Sequence, residues 1–182
     1  SLQADLLIQL NEREQAITLL TGFAQAHPQN AQAQAELALA LLRSGDTPQA
    51  MSVFRRIPEK KLTPRIRFAY AQALNVSRLF HEAEKQLDIA VKQEPDYAEA
   101  WQLLALTKEE LGKKEEAHKI YHRLLAADAG NRSARLFLLR LQLREGVLDD
   151  AVQTVTQSPD ILRFAAAAAA MLMDEQQLPQ AE

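Results

Sequence analysis

Cysteine is absent from this 182-residue chain, which excludes disulfides, thiolate zinc sites and a cysteine nucleophile. Glycine is scarce, with five residues that stand mostly at turns, and a Gly-rich phosphate loop is therefore missing. An excess of charge of one sign is missing too. Twenty-one basic and 24 acidic residues leave a formal net charge of −3, so bulk charge gives no support for polyanion binding. The longest apolar run, Ile161 to Met173, is interrupted by Arg163 and is shorter than the roughly 20 residues that span a bilayer. No basic-then-apolar signal segment and no initiating Met open the chain at Ser1, so a processed piece of a longer protein is expected. What is present is an ordinary apolar content of 47%, enough for a large core or a linear stack.

That content is strongly periodic. Six times a turn or break position is followed five residues later by alanine: Asn11 and Ala16, Gly45 and Ala50, Arg78 and Ala83, Gly112 and Ala117, Gly146 and Ala151, Gln176 and Ala181. Successive alanines are 34, 33, 34, 34 and 30 residues apart, which is self-similarity at the length of one helix-turn-helix unit. Between the turns, apolar residues recur at helical spacing, as in Leu37, Leu41 and Leu42 before Gly45 and Met51, Phe54 and Ile57 after it. The run Ser44-Gly45-Asp46-Thr47-Pro48 supplies a left-handed stop, an N-cap and a first-turn proline. The pattern predicts helices at about 2–10, 13–26, 31–44, 47–57, 64–77, 80–93, 98–111, 114–127, 132–145, 148–157 and 161–174. One segment, 1–182, is then divided into units 31–63, 64–97, 98–131 and 132–161, with partial units at 1–30 and 162–182. The 132–161 unit is short, and its second helix should lose about one turn.

Alanines at 38, 50, 71, 83, 105 and 117 mark places where helices approach closely, since only small side chains allow that. The hexa-alanine stretch Ala165–Ala170 reads as a high-propensity helix with close neighbours.

The spacing, together with Trp101, Leu104, Ala105, Ala117, Tyr121 and Leu124 in the best-formed unit, resembles the tetratricopeptide repeat (TPR). Leu37, Ala38, Leu41, Ala50, Phe54 and Ile57 repeat the pattern, as do Tyr70, Ala71, Leu74, Ala83, Leu87, Ala90 and Pro95. One departure stands out: Arg135 occupies the place that Trp101 takes one unit earlier. The resemblance covers nearly the whole chain and implies an all-α fold, a right-handed superhelical solenoid of antiparallel helix pairs. Leu178-Pro179-Gln180-Ala181-Glu182 opens a further second helix after the break at Gln176, so the array is expected to continue past Glu182, with repeat ends that could support a homo-oligomer.

Little in the sequence suggests reaction chemistry. His118 and His122 are four apart with Glu115 nearby, but two histidines without cysteine make a weak metal signal, and solvated residues on an outer helix explain them better. Paired acids such as Asp149-Asp150 sit at helix starts, where dipole pairing accounts for them. We assign no catalytic, cofactor or metal residues and expect a non-enzyme. The basic cluster Arg55, Arg56, Lys60, Lys61, Arg65 and Arg67 is opposed locally by Glu59 and lacks interleaved aromatics for base stacking. It reads as a solvated connector with no nucleic-acid role. A second basic stripe runs through Arg132, Arg135, Arg140 and Arg144.

The family's arrangement, with first helices lining a concave channel, implies a groove formed by Phe68, Gln72, Asn75, Gln102, Leu106, Glu109, Leu136 and Arg140, alongside Ala35, Leu39 and Leu143. Apolar anchors with polar neighbours suit a partner peptide or helix. The positions at which the co-chaperone subset carries clamp lysines and asparagines hold Ala35, Leu39, Phe68, Gln72 and Gln102 here, which disfavours chaperone-tail binding. The expectation is a protein-interaction scaffold. The alternatives are a spacer or self-assembly module, or the regulatory arm of an enzyme with its chemistry elsewhere. Alanine- and glutamine-rich repeats of this kind resemble bacterial arrays in envelope assembly, pilus biogenesis or polysaccharide export, which would place the parent protein in the periplasm or at the outer membrane.

Overall fold

The computed structural model describes the backbone of residues 2–177 and the side chains of residues 12–169. Among the described residues ten α-helices follow in order: α1 Leu2–Ala26, α2 Ala31–Arg43, α3 Thr47–Arg56, α4 Pro64–Val76, α5 Phe80–Gln93, α6 Ala98–Glu110, α7 Lys114–Ala127, α8 Arg132–Glu145, α9 Leu148–Thr156 and α10 Ile161–Gln177. A 3-10 turn at Glu59–Lys61 lies in the α3–α4 connection, and no strand occurs among the described residues.

The turns between paired helices share one hydrogen-bonded form. Asp46 N donates to Leu41 O, Leu79 N to Leu74 O, Lys113 N to Lys108 O and Val147 N to Gln142 O, at 2.8–3.0 Å. This six-to-one bond is the Schellman closure of a helix C-terminus, and it requires one residue with left-handed backbone. Gly45, Gly112 and Gly146 take it with φ of 89°, 73° and 75°, and Arg78 takes it at 59°. A Cβ on any of those three glycines would meet nothing within 4 Å, so backbone conformation alone favours glycine there. On the far side of the turn Asp46 caps α3 by accepting from Gln49 N at 3.0 Å, while Asn30, Thr63 and Asn131 cap α2, α4 and α8 in the same way.

The break predicted at Asn11 does not form. The backbone is helical without interruption from Leu2 to Ala26, because no residue there adopts the left-handed stop and Glu12, Arg13, Glu14 and Gln15 favour helix. At the other end α10 continues through Gln176 to Gln177. Ala181 and the second helix expected from Leu178 lie outside the described residues. The second helix of the short unit, α9, has 9 residues where α5 and α7 have 14, but α3 in a full-length unit has 10.

The helices gather into two compact units, Ser1–Leu103 and Leu104–Glu182, and the division falls inside α6. Within the first, α1 packs on α2, α2 on α3, α4 on α5, and α2 and α3 on α4. Within the second, α7 packs on α8, α8 on α9, and α10 on both α8 and α9. All six alanines marked by the repeat, at 38, 50, 71, 83, 105 and 117, are fully buried, so each helix crossing closes over a methyl group. Phe54, Leu87 and Tyr121, at the same place in successive units, are the largest buried side chains of their second helices.

Candidate functional site

Every residue assigned to a groove lies on a first helix, and all are half-buried except Ala35, which at 3% exposure belongs to the core instead. Phe68, Gln72 and Asn75 follow one face of α4, Gln102, Leu106 and Glu109 one face of α6, and Leu136 and Arg140 one face of α8. They alternate with buried packing positions such as Ala71 and Leu74, or Leu138 and Leu139, as helical periodicity requires. In the first unit the Phe68 ring sits 5.2 Å from that of Tyr97, tilted by 50°. Asn75 Nδ2 donates to Ala71 O on its own helix at 3.1 Å. The Tyr97 hydroxyl is pushed above its usual range, first by burial and then by the nearby Glu99 carboxylate.

In the second unit the polar groove residues engage one another. Arg140 Nη2 donates to Glu109 Oε2 at 3.0 Å, the Tyr121 hydroxyl donates to Glu109 Oε1, and the Arg140 guanidinium lies over the Phe137 ring at 5.0 Å. Phe137 in turn stacks with Tyr121, centroids 6.2 Å apart. Burial, followed by the Glu109 hydrogen bond and charge, drives the Tyr121 hydroxyl far above its usual value. Glu109 and Arg140 thus tie α6, α7 and α8 together, while Leu106, Leu136 and Leu143 are the half-buried leucines of these faces.

The tryptophan place of the repeat holds a feature that charge counting misses. Trp101 Nε1 donates to Pro95 O at 2.8 Å. Thirty-four residues on, Arg135 Nη2 donates to Ala129 O at 2.9 Å and Nη1 to Thr154 O at 3.2 Å, so the guanidinium both takes over the indole bond and reaches the last turn of α9. Arg67, one period before Trp101, is 4% exposed, with Nη1 on Gln86 Oε1 at 2.6 Å and Nη2 on Glu59 Oε1 at 2.7 Å. It therefore leaves the solvated basic cluster to which its sequence neighbours had assigned it. The signal that could have revealed this is the spacing 67, 101, 135. Lys61 is also engaged, its Nζ donating to Gln29 O at 2.6 Å.

His118 is not a freely solvated residue. Its Nε2 lies 2.7 Å from Glu145 Oε2, with both side chains largely covered. His122 stacks at 6.4 Å from it. Among the described residues no group of three His, Asp or Glu is placed to hold a metal, and no helix is long and apolar enough to cross a membrane.

The contact of α10 with α8 and α9 repeats that of α8 with α6 and α7, but with smaller and less polar side chains. Where the earlier contact has Glu109, His118 and Tyr121, the positions 34 residues on hold Leu143, Val152 and Val155. The result is an apolar cleft of about 530 Å3 lined by Leu139, Leu143, Leu148, Val152 and Val155 opposite Ala165, Ala168 and Ala169. Leu148 and Val152 at its edge are 64% and 62% exposed.

Repeated antiparallel helix pairs with a common turn, a common alanine crossing and half-buried first-helix faces define an α-helical repeat protein. The tetratricopeptide repeat model matches residues 1–65 and 103–166, and a second model of the same repeat matches residues 64–107. The chain belongs to the tetratricopeptide repeat family, whose members generally serve as non-catalytic protein-interaction scaffolds. Among solved structures it is similar to MamA from Desulfovibrio magneticus, with a TM-score of 0.76 at 18% identity over 87% of this chain and 90% of that one. It is similar to YrrB, described as a TPR protein with an unusual peptide-binding site, with a TM-score of 0.74 at 16% identity over 93% and 88%. It is also similar to pilF from Pseudomonas aeruginosa, with a TM-score of 0.72 at 20% identity over 93% and 81%. No curated protein matches the chain.

Proposed function

We propose that this chain is a non-enzymatic scaffold that binds a partner peptide or helix through the first-helix faces of its repeats. The observation that carries the reading is the run of half-buried side chains on those faces, above all Phe68 with Gln72 and Asn75 in the first unit and Leu136 in the second. An apolar anchor beside amide side chains offers a partner both burial and main-chain hydrogen bonds. YrrB, which shares the fold, is described by its peptide-binding site. Affinity purification with the chain as bait should recover a protein partner. Phe68→Ala should then weaken the complex by about 1–3 kcal/mol, the range for losing a buried aromatic anchor, while circular dichroism stays unchanged. Unchanged affinity in both Phe68→Ala and Leu136→Ala would remove the groove assignment.

The setting we infer is a bacterial envelope, pilus or polysaccharide-export machine, supported by the alanine- and glutamine-rich composition and by the fold shared with pilF. A second reading, self-association or spacing through repeat ends, is favoured by exposed apolar side chains: Leu19 and Phe23 on α1, and Leu148, Val152 and Leu162 on α9 and α10. On this reading the sedimentation coefficient rises with protein concentration and Val152→Glu with Leu162→Glu abolishes the rise. A concentration-independent value for the unaltered chain excludes it.

A further inference from the structure

Three arginines surround a small cleft at one edge of the second unit, between the α7–α8 and α9–α10 connections. The cleft has a volume of about 230 Å3 and is lined by Arg132, Arg135, Arg163, Gly130, Ser158 and Asp160, with Phe164 and neighbouring loop residues completing the wall. Its floor is unusual. Arg135 is 5% exposed, and the two acceptors of its guanidinium, Ala129 O and Thr154 O, are neutral carbonyls. Among the described residues no carboxylate forms an ion pair with it. A guanidinium withdrawn from water keeps most of its desolvation cost unless an anion approaches it.

The remaining charges leave that demand open. Arg132 is exposed and donates from Nη2 to Arg163 O at 3.1 Å, a neutral acceptor again. Arg163 Nε stands 3.5 Å from Asp160 Oδ2, while Asp160 Oδ1 caps α10 by accepting from Arg163 N at 3.2 Å. Asp160 is the one carboxylate among the lining residues, and it is spent on Arg163 and the cap. Three arginines and one carboxylate therefore line the cleft, with a second carboxylate, Asp128, held at its rim by Gly130 N at 2.8 Å. The volume is below the roughly 300–1,000 Å3 of pockets that hold drug-sized ligands, so the cleft suits a single oxyanion group.

We propose that this cleft is an oxyanion-binding site, taking either inorganic phosphate or a carboxylate at the end of an acidic peptide, with Arg132 and Arg163 as adjustable arms over the fixed Arg135. The planar guanidinium matches the oxygen edge of either group. None of the groove residues lines this cleft, and the proposal does not rest on the groove reading.

The test is a two-dimensional amide NMR titration of the whole chain at neutral pH, with sodium phosphate in one series and a short peptide ending in Asp-Glu with a free carboxylate in the other. Saturable shifts at Gly130, Arg132, Ser158 and Ile161 are expected, and the tighter series identifies the source. Arg132→Gln with Arg163→Gln, both on solvent-accessible side chains, should weaken binding about tenfold or more. Asp160→Asn, which keeps a capping side chain but removes the competing charge, should strengthen it several-fold. No saturable shift with either probe overturns the proposal. So does equal affinity in the double arginine variant, or weaker binding in Asp160→Asn.

Discussion

Tyr121→Ala is expected to destabilise the Leu104–Glu182 unit by about 3–5 kcal/mol, the range for truncating a buried aromatic. Tyr121 is fully buried, and its ring stacks on Phe137 while its hydroxyl holds Glu109, which also holds Arg140. Truncation opens a cavity and removes one donor from a carboxylate that is itself only 8% exposed. Tyr121→Phe separates the two effects. It keeps the ring and should cost about 1–3 kcal/mol, the penalty for leaving a buried acceptor short of a donor. Urea unfolding followed by circular dichroism measures both. The phenol also carries a pH signature. Its folded pKa lies above the usual 10.0, so the folded chain keeps the proton while the unfolded chain loses it. The stability it contributes is complete below about pH 10 and falls by about 1.4 kcal/mol per pH unit above that point. Tyr121→Phe should lack this component, and equal alkaline slopes in the two proteins would refute it.

Phe54→Ala should cost the Ser1–Leu103 unit a similar amount, about 3–5 kcal/mol. Phe54 is 1% exposed and stacks on Tyr70 at 5.1 Å with the rings inclined by 20°, so it links α3 to α4. Its register is that of Tyr121, but it has no polar tether, and Phe54→Leu should restore most of the loss because Leu87 fills the same place one unit later without an aromatic. Repeat proteins lose stability unit by unit. Amide hydrogen exchange should therefore speed up chiefly in α2–α4 for Phe54→Ala and chiefly in α6–α8 for Tyr121→Ala. Uniform acceleration along the chain in either variant would contradict that locality.

The fold was readable where one residue type performs one mechanical task. Glycine at 45, 112 and 146 and alanine at the six crossings recur because a left-handed φ and a close helix approach each tolerate little else. Arg78 was legible by register alone. Asn11 misled for the same reason: register pointed to a turn, but nothing in the local chemistry stops the helix, and α1 continues through it. The candidate site was legible as a set of positions and not as a set of interactions. Periodicity put Glu109 and Arg140 on first-helix faces, yet their pairing joins residues 31 apart on different helices, which no local pattern encodes. Arg67 and Arg135 were hidden differently. Charge counts treat every arginine as surface, whereas the long guanidinium here replaces an indole inside the stack and finds acceptors on the neighbouring second helix.

The six-to-one hydrogen bond that closes each of the four turns runs from main chain to main chain, and a non-glycine residue such as Arg78 fills the one selective place at a cost of about 1–2 kcal/mol. The geometry of the bend is thus nearly independent of the side chains carried on either arm. Exposed side chains of a unit can therefore change without altering the turn that joins its two helices.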